Sequence, residues 1–240
     1  MKNLLLRVSA ILIFSIGMLS GLALVYAATW ADVESVFYGF YRFGNKTTSS
    51  MQCPILINGD ETGFIKLNFR NKTDQYIRPT VRFQASSRTT FRDEKILLSL
   101  DPGQSETVQW EVTRRDVALD HFIFAKIFTF ASYPQPDIEQ TCGILVLDLP
   151  GLKGKQIVLA DILLSAIGML GGCMLWFRTQ KTSQDRHLDA LRAMITLTVT
   201  TWLGILSVML AWWPVGILLS ALSLLLVGVI IGHFVQFGKN

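Results

Sequence analysis

Four stretches of the chain are almost uninterruptedly apolar: residues 8–28, 157–177, 193–213 and 214–234. Each has about the 20 residues that an α-helix needs to cross roughly 30 Å of hydrocarbon. A backbone in lipid must satisfy its own hydrogen bonds, so the pattern predicts four transmembrane helices. Between the first and second stretches the period changes to two. Apolar and polar residues alternate through Ile65-Lys66-Leu67-Asn68-Phe69-Arg70, again from Ile77 to Gln84, and again from Val108 to Val112. Such alternation predicts strands with one buried face and one wet face. Further strands are expected at 52–57, 95–100, 121–131 and 141–149. Turn signals separate them at Asn58-Gly59-Asp60, Asn71-Lys72-Thr73-Asp74, Asp101-Pro102-Gly103-Gln104 and Tyr133-Pro134-Gln135-Pro136. Pro79, inside one of these runs, predicts an edge strand.

The expected fold class is therefore a membrane α-helical protein with four transmembrane helices. An all-β immunoglobulin-like sandwich of about seven strands is inserted between helix 1 and helix 2. The predicted division is helix 1 over 1–28, an aromatic juxtamembrane segment over 29–49 and the sandwich over 50–150. Helix 2 follows over 156–177, a loop over 178–192, helix 3 over 193–213 and helix 4 over 214–235. Trp212-Trp213-Pro214 forms the turn between the last two helices, with Pro214 suited to a first helical turn.

The segment Leu98-Ser99-Leu100-Asp101-Pro102-Gly103-Gln104-Ser105-Glu106-Thr107-Val108-Gln109-Trp110-Glu111-Val112 resembles the strand–turn–strand of the immunoglobulin-like CARDB and NEW3 modules of bacterial surface proteins. The resemblance covers only the outer domain, and it implies a sandwich used for adhesion or spacing. The arrangement of four spans with a β-rich first outer loop is also similar to claudin-like tetraspans. The paired-cysteine motif of that family is absent, and no family is recognised for the whole chain.

Charge fixes the expected orientation. The net charge is +4. The 28–155 segment is balanced, and the surplus lies beside the apolar runs at Lys2, Arg7, Arg178, Lys181, Arg186, Arg192 and Lys239. Basic residues flanking spans mark the cytoplasmic side. Both termini and the 178–192 loop are thus expected in the cytoplasm, with residues 29–155 extracytoplasmic in a multi-pass cell-membrane protein. A nucleic-acid partner is not expected. The first run has a second reading as a cleaved signal peptide ending near Val25-Tyr26-Ala27. Its length beyond the usual 7–15 apolar residues favours a retained anchor.

The candidate chemistry is sparse. Cys53, opening the first strand, and Cys142, in the last, are expected to form a disulfide in an oxidising compartment. Asp161 is the one acid within a span, and an ionisable group at membrane depth is a functional hypothesis. It stands as a proton or ion group, or as an interfacial residue accepting from a neighbouring subunit. Gly168 and Gly172 make a GxxxG pair that favours helix packing. The aromatic stretch with Trp30, Phe37, Tyr38, Phe40 and Tyr41 reads either as an interfacial belt or as a docking surface. Asn45-Lys46-Thr47 and Asn71-Lys72-Thr73 match the glycosylation sequon. His121, His187 and His233 belong to three different layers, so no metal site is expected. Neither a catalytic set nor a cofactor site is expected.

The expectation is a non-enzymatic accessory or interaction protein. Its partners would be membrane lipid and either another membrane protein or further copies of itself. The alternative is an oligomeric transport-complex component using Asp161, and a membrane enzyme is the remaining class.

Overall fold

The computed structural model describes residues 2–37, 49–87, 91–130, 137–179 and 185–237. These form, in chain order, α1 (Lys2–Phe37), β1 (Ser49–Gln52), β2 (Leu56–Asn58), β3 (Gly63–Arg70), β4 (Thr80–Ala85), β5 (Arg92–Leu97), β6 (Ser105–Val112), β7 (Phe122–Phe130), β8 (Ile138–Leu147), α2 (Gly154–Arg178), α3 (Asp185–Met209) and α4 (Trp213–Phe237). The chain divides into two compact units. One is Met1–Thr29 with Val158–Asn240, and the other is Trp30–Ile157.

The Trp30–Ile157 unit is a β-sandwich. Its two sheets have the strand orders β1-β3-β6 and β2-β8-β7-β4-β5. All named pairings are antiparallel except β2 with β8. The alternation in β3 turns Ile65, Leu67 and Phe69 inward. They meet Val81 and Phe83 of β4 and Ile123 and Ile127 of β7 in one shared core. Phe83 and Trp110 stack within it at 4.8 Å between ring centroids. Cys53 and Cys142 are disulfide-bonded, closing a chain separation of 89 residues. In the chain-entropy account a loop of that length contributes about 4 kcal/mol.

Three expectations need correction here. The strand expected at 52–57 is two strands in different sheets, because Pro54 has no N–H for a ladder. Cys53 therefore lies in the connection between β1 and β2 rather than opening a strand. Pro79 does not mark an edge. It precedes β4, which is flanked by β5 and β7, and only its carbonyl is used, accepting from Leu98 N at 3.0 Å. Helix α1 also continues beyond residue 28 to Phe37.

That extension has a visible cause. Its residues Ala31 and Ser35 are buried in the sandwich unit. Gly143 of β8 lies so close to the helix that a Cβ there would fall 2.0 Å from Ala31 O. Gly143 N donates to Asp32 Oδ1 at 3.0 Å. The partner strand β2 pairs only with Leu145–Leu147. Asp32 thus takes a β8 donor that lies beyond the reach of β2. At the start of α2, Glu61 Oε2 accepts from Gly154 N at 2.6 Å, satisfying a helix N-terminal donor. Asn58 Nδ2 donates to the carbonyls of Leu149 and Leu152, both at 2.6 Å.

Asn71 is the polar anchor of the opposite end. It is fully buried. Its Nδ2 faces the carbonyls of Gln75, Leu100 and Asp101 at 2.8, 3.1 and 3.1 Å. Its Oδ1 accepts from Thr73 N and Thr73 Oγ1. The sequon at 71–73 is thus consumed by a loop clamp, and the folded domain does not present its amide. The sequon at 45–47 lies outside the described residues. Asn71→Ala strips the donor from carbonyls of the turn and removes an acceptor. It should lower stability by about 2–3 kcal/mol, read by chemical unfolding of the full chain in detergent. Unchanged stability would contradict the clamp.

In the other unit, α1 to α4 are each long and apolar enough to span a membrane. Its core gathers Phe14 and Met18 of α1, Met169 of α2, and Met194 and Leu197 of α3. Helices α3 and α4 join through the tight turn at Leu210–Trp212, with Ala211 at φ 55° and Pro214 in the first turn of α4. Helix α3 begins at Asp185, so the expected 178–192 loop is partly helical.

Candidate functional site

The candidate site is built where α1, α2 and α3 meet around Asp161. It begins with a backbone contact. A Cβ on Gly168 would lie 2.6 Å from Gly17 Cα, and one on Gly17 would lie 2.7 Å from Gly168 Cα. Only glycine on both helices allows this approach. One turn away, a Cβ on Gly172 would fall 2.6 Å from Phe14 Cβ and 2.9 Å from Ala10 O. Gly168 and Gly172 are therefore packed against α1 of the same chain.

The close approach brings polar side chains together further along the seam. Ser20 Oγ donates to Asp161 Oδ1 at 2.5 Å. Asp161 Oδ1 thus has a donor within the same chain. Asp161 Oδ2 is shielded from solvent and has no hydrogen-bond partner. Ser165 lies one turn beyond Asp161 on α2, on the same face. A Cβ on Gly21 would lie 2.5 Å from Ser165 Oγ and 2.8 Å from Thr201 Cγ2, so both side chains press on the α1 backbone there. Ser165 and Thr201 are 0% and 1% exposed, and neither hydroxyl has a hydrogen-bond partner among the described residues.

Several other hydroxyls in the helical unit behave differently. Thr29 donates to Val25 O, Thr198 to Met194 O, Thr200 to Leu197 O, Ser207 to Gly204 O and Ser223 to Leu219 O. This return to the preceding turn is how a hydroxyl in an apolar helix is normally satisfied. Ser165, Thr201 and Ser220 depart from it.

The sandwich holds a second polar cluster, centred on Arg92. Its Nη1 lies 3.1 Å from Asp116 Oδ1, and its Nε lies 3.2 Å from Glu94 Oε1. Its Nη2 donates to Glu111 O at 2.5 Å, joining β5 to β6 of the facing sheet. The guanidinium sits 5.4 Å from the Phe83 ring centroid. Asp116 is buried and also accepts from Thr113 N at 2.8 Å. Elsewhere on the surface, the Arg82 guanidinium hydrogen-bonds Asp93 and holds its carboxyl below the usual carboxylate range. The Arg92 cluster is a structural cross-tie between the two sheets.

Of the remaining expected residues, Phe37 is 81% exposed and Trp30 is 42% exposed. Tyr38, Phe40 and Tyr41 lie outside the described residues. Among the described residues, no group of three or more His, Cys, Asp and Glu side chains is placed to hold a metal ion. Ser20 and Thr201 were not singled out by sequence. The legible signal was Asp161 with Ser165 four residues on, since that spacing shares a helix face.

No family model matches the chain, and no curated protein matches it. Solved structures match part of it. A CARDB domain from Pyrococcus furiosus, in complex with di-metal ions, is 11% identical with a TM-score of 0.35, over 45% of this chain and 98% of that one. A β-glucosidase from Listeria innocua is 13% identical with a TM-score of 0.31, over 41% of this chain. A β-glucosidase from Erythrobacter marinus is 17% identical with a TM-score of 0.29, over 42% of this chain. In both glycosidases the match spans only 15% of the enzyme.

The Arg92 cross-tie is open to test. Arg92→Ala leaves Asp116 buried without its cation, and stability should fall by about 3–5 kcal/mol in chemical unfolding of the full chain. Adding Asp116→Asn should recover part of that loss. A loss below about 0.5 kcal/mol would make the cluster an ordinary surface ion pair.

Proposed function

We propose that this chain is a non-enzymatic integral membrane protein of the accessory or interaction class. The four helices lie in the bilayer, and the immunoglobulin-like sandwich is displayed on the extracytoplasmic side. The observation that carries the membrane placement is an inside-out distribution of polarity in the helical unit. Ile167 and Met174 of α2 and Leu218, Leu225 and Val229 of α4 are all exposed. Asp161, Ser165, Thr201 and Ser223 are turned toward neighbouring helices. A surface of that kind suits lipid or other membrane subunits rather than water. The basic residues Lys2, Arg7, Arg178, Lys181, Arg186, Arg192 and Lys239 support cytoplasmic termini and a cytoplasmic 178–192 loop.

The interaction role is supported by Phe37, a large aromatic side chain exposed at the end of α1, beside Tyr38, Phe40 and Tyr41 in the chain. Aromatic anchors of this type dominate interface energies. The partner is another membrane protein or a further copy of this chain. Solubilisation of native membranes in mild detergent should recover the chain with a stoichiometric partner or as a defined oligomer. Phe37→Ser should reduce that recovery. A lone monodisperse monomer would overturn the proposal.

The solvent-shielded Asp161 Oδ2 favours a second reading, in which the chain is a component of an oligomeric transport complex. On that reading Asp161→Asn abolishes flux while leaving the fold intact.

A further inference from the structure

The Asp161 seam presents a specific imbalance. Three polar atoms, Asp161 Oδ2 and Ser165 Oγ on α2 and Thr201 Oγ1 on α3, are cut off from solvent without a hydrogen-bond partner among the described residues. Each such buried group is costly to leave unpaired, and more so when charged. Satisfaction is the general rule for such groups, and of the unpartnered hydroxyls in this unit Ser165 and Thr201 are the two that press on the same α1 residue, Gly21, while Ser220 lies on α4. The neighbouring hydroxyls that return to their own helices show that the local backbone allows the usual solution.

The charge is unbalanced as well. Residues 8–28, 157–177 and 193–213 hold no Lys, Arg or His, and Asp161 is their one charged residue. The hydrogen-bond donor on its Oδ1, Ser20 Oγ, is neutral. Nothing in these three apolar stretches supplies a cationic side chain to balance it. A carboxylate with a serine hydroxyl on Oδ1 and a second serine one turn along its own helix offers the oxygen ligands of a hard cation. With one carboxylate, a monovalent ion gives a neutral assembly, whereas a divalent ion would leave an excess positive charge in an apolar setting. The seam is also tight, with Ser165 and Thr201 pressed on Gly21. That favours a small ion.

We propose that Asp161 and Ser165 of α2, Thr201 of α3 and Ser20 of α1 hold a monovalent cation of the Na⁺ type. The ion supplies the partner that Asp161 Oδ2, Ser165 Oγ and Thr201 Oγ1 lack, and it ties three helices together. The inference names a ligand for the residue of the transport reading but does not require flux.

The test is thermal unfolding of the purified full chain in detergent. NaCl replaces choline chloride at constant ionic strength. A ligand bound only by the folded state raises Tm saturably with its concentration. The wild-type chain should rise by about 4 °C or more at saturating Na⁺. Asp161→Asn should abolish the rise. Ser165→Ala and Thr201→Val should each move its midpoint to about tenfold higher Na⁺, the effect of losing about 1.4 kcal/mol. These two variants carry the test if Asp161→Asn does not fold. A Tm indifferent to replacement of choline by Na⁺ overturns the site, as does an unchanged Na⁺ midpoint in the hydroxyl variants. A Na⁺-dependent Tm without flux in reconstituted vesicles supports the site and overturns only the transport reading.

Discussion

The helical unit turns leucine, isoleucine, valine and methionine outward, so on the proposed membrane placement its polar groups find no partner in the surroundings. That constraint orders the packing. Most hydroxyls meet it locally, by donating to the carbonyl three or four residues back. Asp161 has no such local solution, since a carboxylate only accepts. It depends on a donor from another helix, and Ser20 reaches it because Gly17 and Gly168 let α1 and α2 touch backbone to backbone. A side chain at either glycine would part the helices and leave Asp161 without its donor. Small residues and the acidic residue are thus one arrangement rather than two features.

The sandwich satisfies its polar groups by different means. Its two sheets share an apolar core, and three polar ties hold its margins. Arg92 crosses from β5 to β6 and neutralises the buried Asp116. Asn71 clamps the loop after β3 to the turn before β6. Asp32 takes the β8 donor that β2 does not reach. The disulfide joins the β1–β2 connection to β8, next to that same Gly143. The last turns of α1 and the first turn of α2 belong to this unit through Asp32 and Glu61, so both helices leave the sandwich from hydrogen-bonded ends.

The parts legible in the sequence were those set by local periodicity. Long apolar runs became helices, and alternation from Ile65 to Arg70 became a strand with its apolar face buried. The cysteine pairing was legible because Cys53 and Cys142 are the two cysteines of the balanced segment. Where long-range contacts decide, the pattern was silent. Residues 29–37 mix aromatic and acidic positions, and their helix is held by Gly143, distant in sequence. Pro54 divides what reads as one strand, and its effect is to send the two halves to different sheets. Asn71 reads as a turn residue or a sequon, and only its burial reveals a clamp. In the candidate site, Asp161 and the glycine pair stood out by composition. Ser20 and Thr201 did not, because a hydroxyl in an apolar helix usually bonds its own backbone.

The central claim is the partition of the chain, with four helices in the membrane and the sandwich outside. Its most direct test is cysteine labelling with a membrane-impermeant maleimide in intact cells. Asp101→Cys, in an exposed turn of the sandwich, is predicted to label without permeabilisation, and Arg192→Cys on α3 only after it. The reverse pattern, with position 101 protected and position 192 reactive from outside, would contradict the partition.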